Sequence, residues 1–386
     1  MVINCQLRMY DNAPWVYNIY SGEDSQSYLL IHFIFIEELL ILAIENKTVA
    51  WLISNLRTND FEELFSTELA STRMRAGVCI SGCRKNKITV LPPNYRKPEH
   101  NPSMVFMAKF VPDSNTGQFL DDGGRRKDLW LKKIELLEKK GCQLILDYTD
   151  NHFSKEGIVG DFYRQIKDSV SGLILPSEKM AQNISQEWNG YTKIIPEPVE
   201  VDFLDPERPK PPLDQMTALW FGHVSNLSYL LDYMGNELHK NPPKNLIILT
   251  NNMPSQAVQE GAKRAPKGLN IKLAHWSKNN MRKAAKVSHY ALIPSSKNDP
   301  RKSGVSPGRL LTSFALGLPV IAENLHSYLA FSEFYAPTRS VEALELAKNP
   351  VKYHDKVKRV QAIIKTNFTV DAIEKEWVGV VKELLS

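Results

Sequence analysis

The sequence predicts an α/β protein made of two doubly wound, Rossmann-like domains facing one cleft. Three observations carry that expectation. Short apolar runs rich in β-branched residues alternate with helix-period segments from Lys47 onward. The runs are continuous rather than alternating in polarity, as in strands buried on both faces of a parallel sheet. The series is interrupted once, by the proline-rich run Leu204 to Leu213, and then begins again.

In chain order, TVAWLIS (48–54) is the first expected strand. Leu69 to Val78 reads as a helix carrying Arg73 and Arg75, and NKITVL (86–91) and MVFMAKF (104–110) read as strands. The segment 128–141 sets Leu129, Ile134 and Leu137 at helical spacing and stops at Gly141; CQLILDYTD (142–150) and GLILPS (172–177) follow as strands. Residues 192–203 are extended, and a linker is expected near 198–214. The second series is ALWFG (218–222), NLIILTN (245–251), IKLA (271–274), YALIPS (290–295) and PVIAE (319–323). A last helix, Asp371 to Leu385, places Ile373, Trp377, Val380, Val381 and Leu384 on one face for docking on a core. The expected division is therefore an N-terminal extension over 1–46, a first domain over 47–197 joined by the helix 371–386, and a second domain over 198–370.

At 386 residues the chain exceeds what one core usually supports, which favours two domains. Hydrophobic content of 43% and charged content of 24% are those of a soluble globular protein. A net charge of +5 is mild. It suits anionic ligands or a membrane surface better than a nucleic-acid groove, so no nucleic-acid partner is expected. Cys5, Cys79, Cys83 and Cys142 are too few and too irregular for a disulfide framework, which favours a reducing, cytoplasmic setting. The histidines show no metal-binding helical pair, so metal-independent chemistry with no cofactor is the expectation. The apolar stretch Tyr28 to Ile44 is interrupted by Glu37 and Glu38 and is short for a span; a buried or interfacial helix is expected there.

The span 292–322 has the chemistry of an anion site. Its loop carries Lys297, Arg301 and Lys302 among the small residues Ser303, Gly304, Ser306 and Gly308. Ser306 is expected as the N-cap of a helix with Pro307 at its first position, so free backbone donors and the positive end of the helix dipole face the loop. Arg309 offers a planar fork matched to phosphate. Gly317 then ends the helix in a left-handed conformation and Pro319 forbids its continuation.

Several segments together resemble the GT-B glycosyltransferases, over roughly 47–386. WFGHVSN (220–226) resembles the glycine-containing strand end that opens their second domain, and HWSKNNMRKAAKVSHYALIPS (275–295) the segment that holds the nucleotide base. SPGRLLTSFALGLPVIA (306–322) is similar to their phosphate-facing helix, IIPEPVEVDF (194–203) to the interdomain hinge, and the final helix to the one that crosses back to the first domain. The Glu-x7-Glu motif of many retaining members is absent, with Gly304 and Thr312 at the corresponding positions.

The resemblance implies transfer of a sugar from a nucleotide-sugar donor to a glycan or lipid-linked acceptor, without a metal. Leaving-group charge must then be met by cations and helix N-termini. The expected donor site comprises Gly222, His223, Ser225, Asn226, Trp276, Arg301, Lys302, Ser303, Ser306 and Arg309. Asp150 and His152, beyond the fourth strand of the first domain, are the expected catalytic pair, and Arg73 and Arg75 the expected acceptor contacts. A nucleotide-sugar epimerase of similar shell and a non-catalytic nucleotide-sugar or glycan-binding protein are the alternatives. Peripheral contact with the inner face of a membrane fits a lipid-linked acceptor.

Overall fold

The computed structural model describes residues 47–53, 60–67, 69–91, 101–110, 123–251 and 255–386, and Lys47–Leu385 form one compact unit. The expected extension over 1–46, with its apolar stretch Tyr28 to Ile44, lies outside the described residues. Among the described residues, no helix is long and apolar enough to cross a membrane.

Two six-stranded sheets, parallel throughout, organise the unit. The first lobe runs β1 (Thr48–Leu52), α1 (Phe61–Ser66), α2 (Val78–Lys85), β2 (Thr89–Val90), β3 (Met104–Met107), α3 (Gly123–Lys139), β4 (Gln143–Asp147), α4 (Gly157–Ile166), β5 (Gly172–Leu175), α5 (Glu178–Ile184) and β6 (Tyr191–Ile194). Its sheet order is β2-β1-β3-β4-β5-β6. The second lobe runs β7 (Thr217–Phe221), α6 (Leu227–Asn236), β8 (Asn245–Thr250), α7 (Ser255–Ala262), β9 (Asn270–His275), α8 (Lys278–Val287), β10 (Tyr290–Ile293), α9 (Gly308–Ala315), β11 (Val320–Ala322), β12 (Ala336–Pro337), α10 (Val341–Lys348) and α11 (His354–Asn367), in the sheet order β12-β11-β10-β7-β8-β9. The last helix, α12 (Val370–Leu385), returns to the first lobe. This is the two-domain α/β architecture the sequence predicts.

Buried strands account for its legibility: β3, β5 and β10 are buried at every position. Strand ends are shorter than the apolar runs suggest, because the runs continue into buried loop residues such as Phe110 and Tyr148. Edge strand β12, with a proline and two residues, carries no periodic signal. Residues Thr72–Gly77, expected as ordinary helix, form a π-helical stretch that runs into α2 and is buried at every position. Gly317 is left-handed as expected, at φ +67°, and ends α9.

The lobes are joined by two crossing segments that touch. Val199 N–H donates to the Phe368 carbonyl at 2.7 Å, and Val199 and Thr369 form an isolated parallel bridge. The proline-rich run is strapped to the second lobe rather than free. Leu204 N–H donates to Ala315 O at 2.9 Å, the Gln361 amide donates to Leu204 O and Phe314 O, and the Arg208 guanidinium donates to Ala285 O and Gly317 O. Prolines removed donors there, and side chains from α11 and the linker itself supplied them.

On α12, Trp377 is fully buried and lies edge-on to Trp51 and Phe106, each at 5.6 Å between ring centroids. The α12 face predicted from periodicity is correct except that Leu385, not Leu384, is the buried terminal leucine. Truncation of a fully buried tryptophan leaves a cavity and removes its apolar burial. Trp377→Ala should therefore lower unfolding free energy by about 3–5 kcal/mol in urea titrations. A loss under about 1 kcal/mol would show that α12 is not a structural part of the first lobe.

Candidate active site

All strands of a parallel sheet end on one edge, and in this chain the two carboxyl edges border one cavity of about 420 Å³. The hinge contributes Glu197 and Glu200, the first lobe Arg73 and Met74, and the second lobe Gly222, His223, Asn251, Trp276, Lys278, Arg309 and Thr312. Helix α9 opens on this cavity with Gly308 and Arg309, one residue later than expected. Ser306 is therefore not the N-cap; its Oγ accepts from Gly308 N–H at 3.2 Å, so it still serves a first-turn donor.

Arg309 is the centre of the site. A Cβ built on Gly222 would lie 3.2 Å from its Nη1, so glycine just after β7 leaves the guanidinium room that a side chain would make tight. Buried Tyr328 lies against the same guanidinium; burial raises its phenol's pKa, and the arginine's charge and a hydrogen bond with it oppose the rise. Nη1 is itself buried and has no hydrogen-bond partner among the described residues. Arg309 as a whole is half-buried and lines the cavity, so the rest of its planar fork faces an acceptor there.

The opposite wall is held by ion pairs. Arg73 grips Glu200 with Nε at 2.8 Å and Nη2 at 2.7 Å, and lies over the Trp276 ring at 5.3 Å. Lys278 reaches the same carboxylate at 3.4 Å. Arg73 is thus committed to Glu200 on the Trp276 side of the cavity and is not an open anion receptor for an acceptor. Arg75 is corrected more fully. It is completely buried, donates to Asp147 at 2.6 and 3.0 Å and to the Ile195 carbonyl, and lies 5.1 Å from the Trp377 ring. An acceptor has no access to it.

The remaining expected donor residues divide into direct and supporting positions. His223 Nδ1 accepts from Ser225 N–H at 3.2 Å and contacts Ser225 Oγ at 2.9 Å, which fixes its ring at the cavity mouth. Partial desolvation, with the charges of Lys109 and Lys302, holds its imidazole below the ordinary range. Lys302 donates to Asn226 Oδ1 at 2.5 Å and lies over Tyr229, so it braces the loop. Ser303 Oγ accepts from Asn183 and Gly304 O from Ser177, at 2.8 and 2.7 Å, which fastens this loop to the first lobe. Gly304 has φ +86°, and a Cβ there would meet the Met180 backbone at 2.9 Å. The side chain of Arg301 lies outside the described residues.

Asp150 and His152 stand beyond β4, beside Lys109. Tyr148 builds this turn, its hydroxyl accepting from His152 and Phe153 N–H at 2.6 and 2.8 Å. Asp150 is paired with the Lys109 ammonium. Burial works to raise its carboxyl, but Lys109, His152 and Lys302 together hold it below the usual carboxylate range. His152 stacks on Tyr163 at 4.6 Å and lies 3.9 Å from Asp150, with both ring nitrogens unpartnered among the described residues. Burial pushes its pKa down to about 3, against the pull of Asp150.

Sequence reading missed Lys109, Glu197, Glu200, Asn251 and Lys278 as site residues. Glu197 is the most consequential. A Cβ on Gly308 would sit 2.8 Å from its Oε2, which places the carboxyl at the start of α9. Burial raises it, opposed by the Arg75 charge and a hydrogen bond with Ser306. A usable signal existed: Lys109, Asn251 and the hinge glutamates follow closely on the ends of β3, β8 and β6.

Comparison with protein-family models and with curated proteins found no match. Solved structures do match. A glycosyltransferase from Rickettsia africae superposes with a TM-score of 0.55 at 12% identity, over 88% of this chain and 99% of that one. Anabaena HepE in complex with UDP gives 0.53 at 13%, over 87% and 100%. TarM, known from S. aureus, gives 0.52 at 12% over 72% of this chain, which spans only 54% of TarM's length. The chain has the GT-B fold.

Because His152 titrates near 3 when folded and near ~6.5 when unfolded, the unfolded chain binds more protons between those values. Stability should therefore fall as pH drops through that window. His152→Phe, which keeps the stacking, should flatten this acid limb by at most roughly 1.4 kcal/mol per pH unit in urea titrations at neutral and mildly acidic pH. Equal slopes for the two proteins would contradict a buried neutral imidazole.

Proposed function

We propose that this chain transfers a sugar from a nucleotide-sugar donor to a glycan or lipid-linked acceptor, in the cavity between its lobes. The observation that carries the reading is the Arg309 guanidinium lining the cavity at the N-terminus of α9. A diphosphate supplies the acceptor oxygens that this donor and the first-turn amides require. Trp276, covered by Arg73, offers a flat wall for the base. The solved structure of HepE contains UDP, which makes UDP the first nucleotide to test.

In this reading the bond between the anomeric carbon and the diphosphate oxygen breaks while an acceptor oxygen bonds to the same carbon. Charge growing on the departing diphosphate is met by Arg309 and the α9 dipole, with no metal required. Glu197, at the start of α9 with its carboxyl pushed up by burial, is placed to hydrogen-bond a sugar hydroxyl. Asp150, kept ionised by Lys109, accepts the hydrogen bond or proton of the incoming hydroxyl. His152, held neutral by burial and 3.9 Å from that carboxylate, is the second group available to orient the acceptor.

Arg309→Ala should weaken UDP binding by about 10- to 100-fold in calorimetry, the loss of a charge-assisted contact worth roughly 1.5–3 kcal/mol. Unchanged affinity would remove the diphosphate assignment. Asp150→Asn should leave UDP affinity within about twofold while cutting acceptor-dependent sugar transfer by about 100-fold or more, and a chelator should leave wild-type transfer intact. Conversion of the donor sugar without any acceptor would favour an epimerase, and an untouched donor a binding protein.

A further inference from the structure

Helix α3 carries a feature that neither the core nor the cleft accounts for. Its inner face packs on the first lobe through Ile134 and Leu137, both buried, with Trp130 and Leu131 beside them. That is enough apolar surface to seat the helix. Yet Leu129 and Leu136 are 59% and 54% exposed. They stand seven residues apart, two turns along the outward face, so they form one stripe rather than two scattered exposures. Lone exposed leucines are ordinary; an aligned pair left over after the fold is satisfied is not.

The same stripe is basic. Arg125, Lys132, Lys139 and Lys140 are exposed and fall at helical spacing around the two leucines. The stretch 123–140 holds seven basic and three acidic residues. Glu135 pairs with Lys139 at 2.6 Å and offsets it, Glu138 accepts from Ser169 at 3.0 Å, and exposed Asp128 lies within one turn of Arg125 and Lys132, so the stretch keeps seven minus three, or +4. Apolar side chains flanked by cations on one outward helix face match an anionic lipid interface, where the acyl boundary takes the leucines and the headgroups take the charge.

We propose that the outward face of α3 is a docking surface for an anionic lipid bilayer. In a parallel sheet a crossover helix runs back against its strands, so α3 begins at the carboxyl edge, the edge that also carries Lys109 and Asp150. A bilayer on this face lies beside the cleft mouth. The docking does not depend on the proposed reaction; under that reading it would present lipid-linked acceptors to the site.

The test is co-sedimentation of the full chain with vesicles of phosphatidylserine and phosphatidylcholine, against vesicles of phosphatidylcholine alone. Binding is expected to the first only and should fall with added salt. The double variant Arg125→Glu, Lys132→Glu should weaken it at least about 25-fold, from roughly fivefold per charge. Leu129→Ala with Leu136→Ala should weaken it about tenfold or more. All four positions are exposed, so thermal midpoint and UDP affinity should match the wild type, which separates this result from any failure of the donor site. Wild-type binding to neither vesicle, equal binding to both, or unaltered binding by the variants would overturn the proposal. The last result would place the contact elsewhere in the chain.

Discussion

Arg75 is the tie on which the two-lobed arrangement depends. One fully buried guanidinium bonds the end of β4 through Asp147, the start of the hinge through the Ile195 carbonyl, and the returning helix α12 through the face of Trp377. Three segments far apart in the chain meet on one cation. Breaking a buried pair leaves the other charge stranded, which costs more than the pair itself contributes. The hinge therefore leaves the first lobe from a set position, and the cavity wall formed by Glu197 and Glu200 inherits it.

From that anchor the functional geometry follows in sequence. The hinge places Glu200 where Arg73 and Lys278 close on it, and the resulting cluster holds Arg73 over Trp276. On the facing side Gly222 makes room for Arg309, and Ser306 secures the first turn of α9. The Ser303–Gly304 loop grips α5 and holds the lobes together on the flank of the cleft. Arg309 thus stands at the start of α9 on the cavity, while Asp150, paired with Lys109 beyond β4, lies outside the residues that line it.

Much of this was legible in the sequence because it is local. Continuous apolar runs marked nearly every strand, Gly317 marked the end of α9, and Trp377 with its helical neighbours marked the docking face of α12. Gly222, His223, Trp276 and Arg309 also emerged, since each follows a strand end or opens a helix. What was not legible depends on partners distant in the chain. Nothing near Arg73 and Arg75 distinguishes exposed helix charges from buried ones; their fates are set by Glu200 and Asp147, which tertiary structure brings to them. Glu197 was hidden for the same reason, as its contact with the start of α9 joins residues 197 and 308, which are 111 apart in the chain. The π-helical stretch before α2 has no compositional mark at all.

In the proposed reading a nucleoside diphosphate binds between the lobes at the start of α9. Determining the structure with UDP bound tests it directly. Phosphate oxygens are expected within hydrogen-bond distance, about 2.7–3.2 Å, of the Arg309 guanidinium and the first-turn amides, with the base against Trp276. A nucleotide seated elsewhere, with no phosphate on the Arg309 guanidinium, would rule that site out.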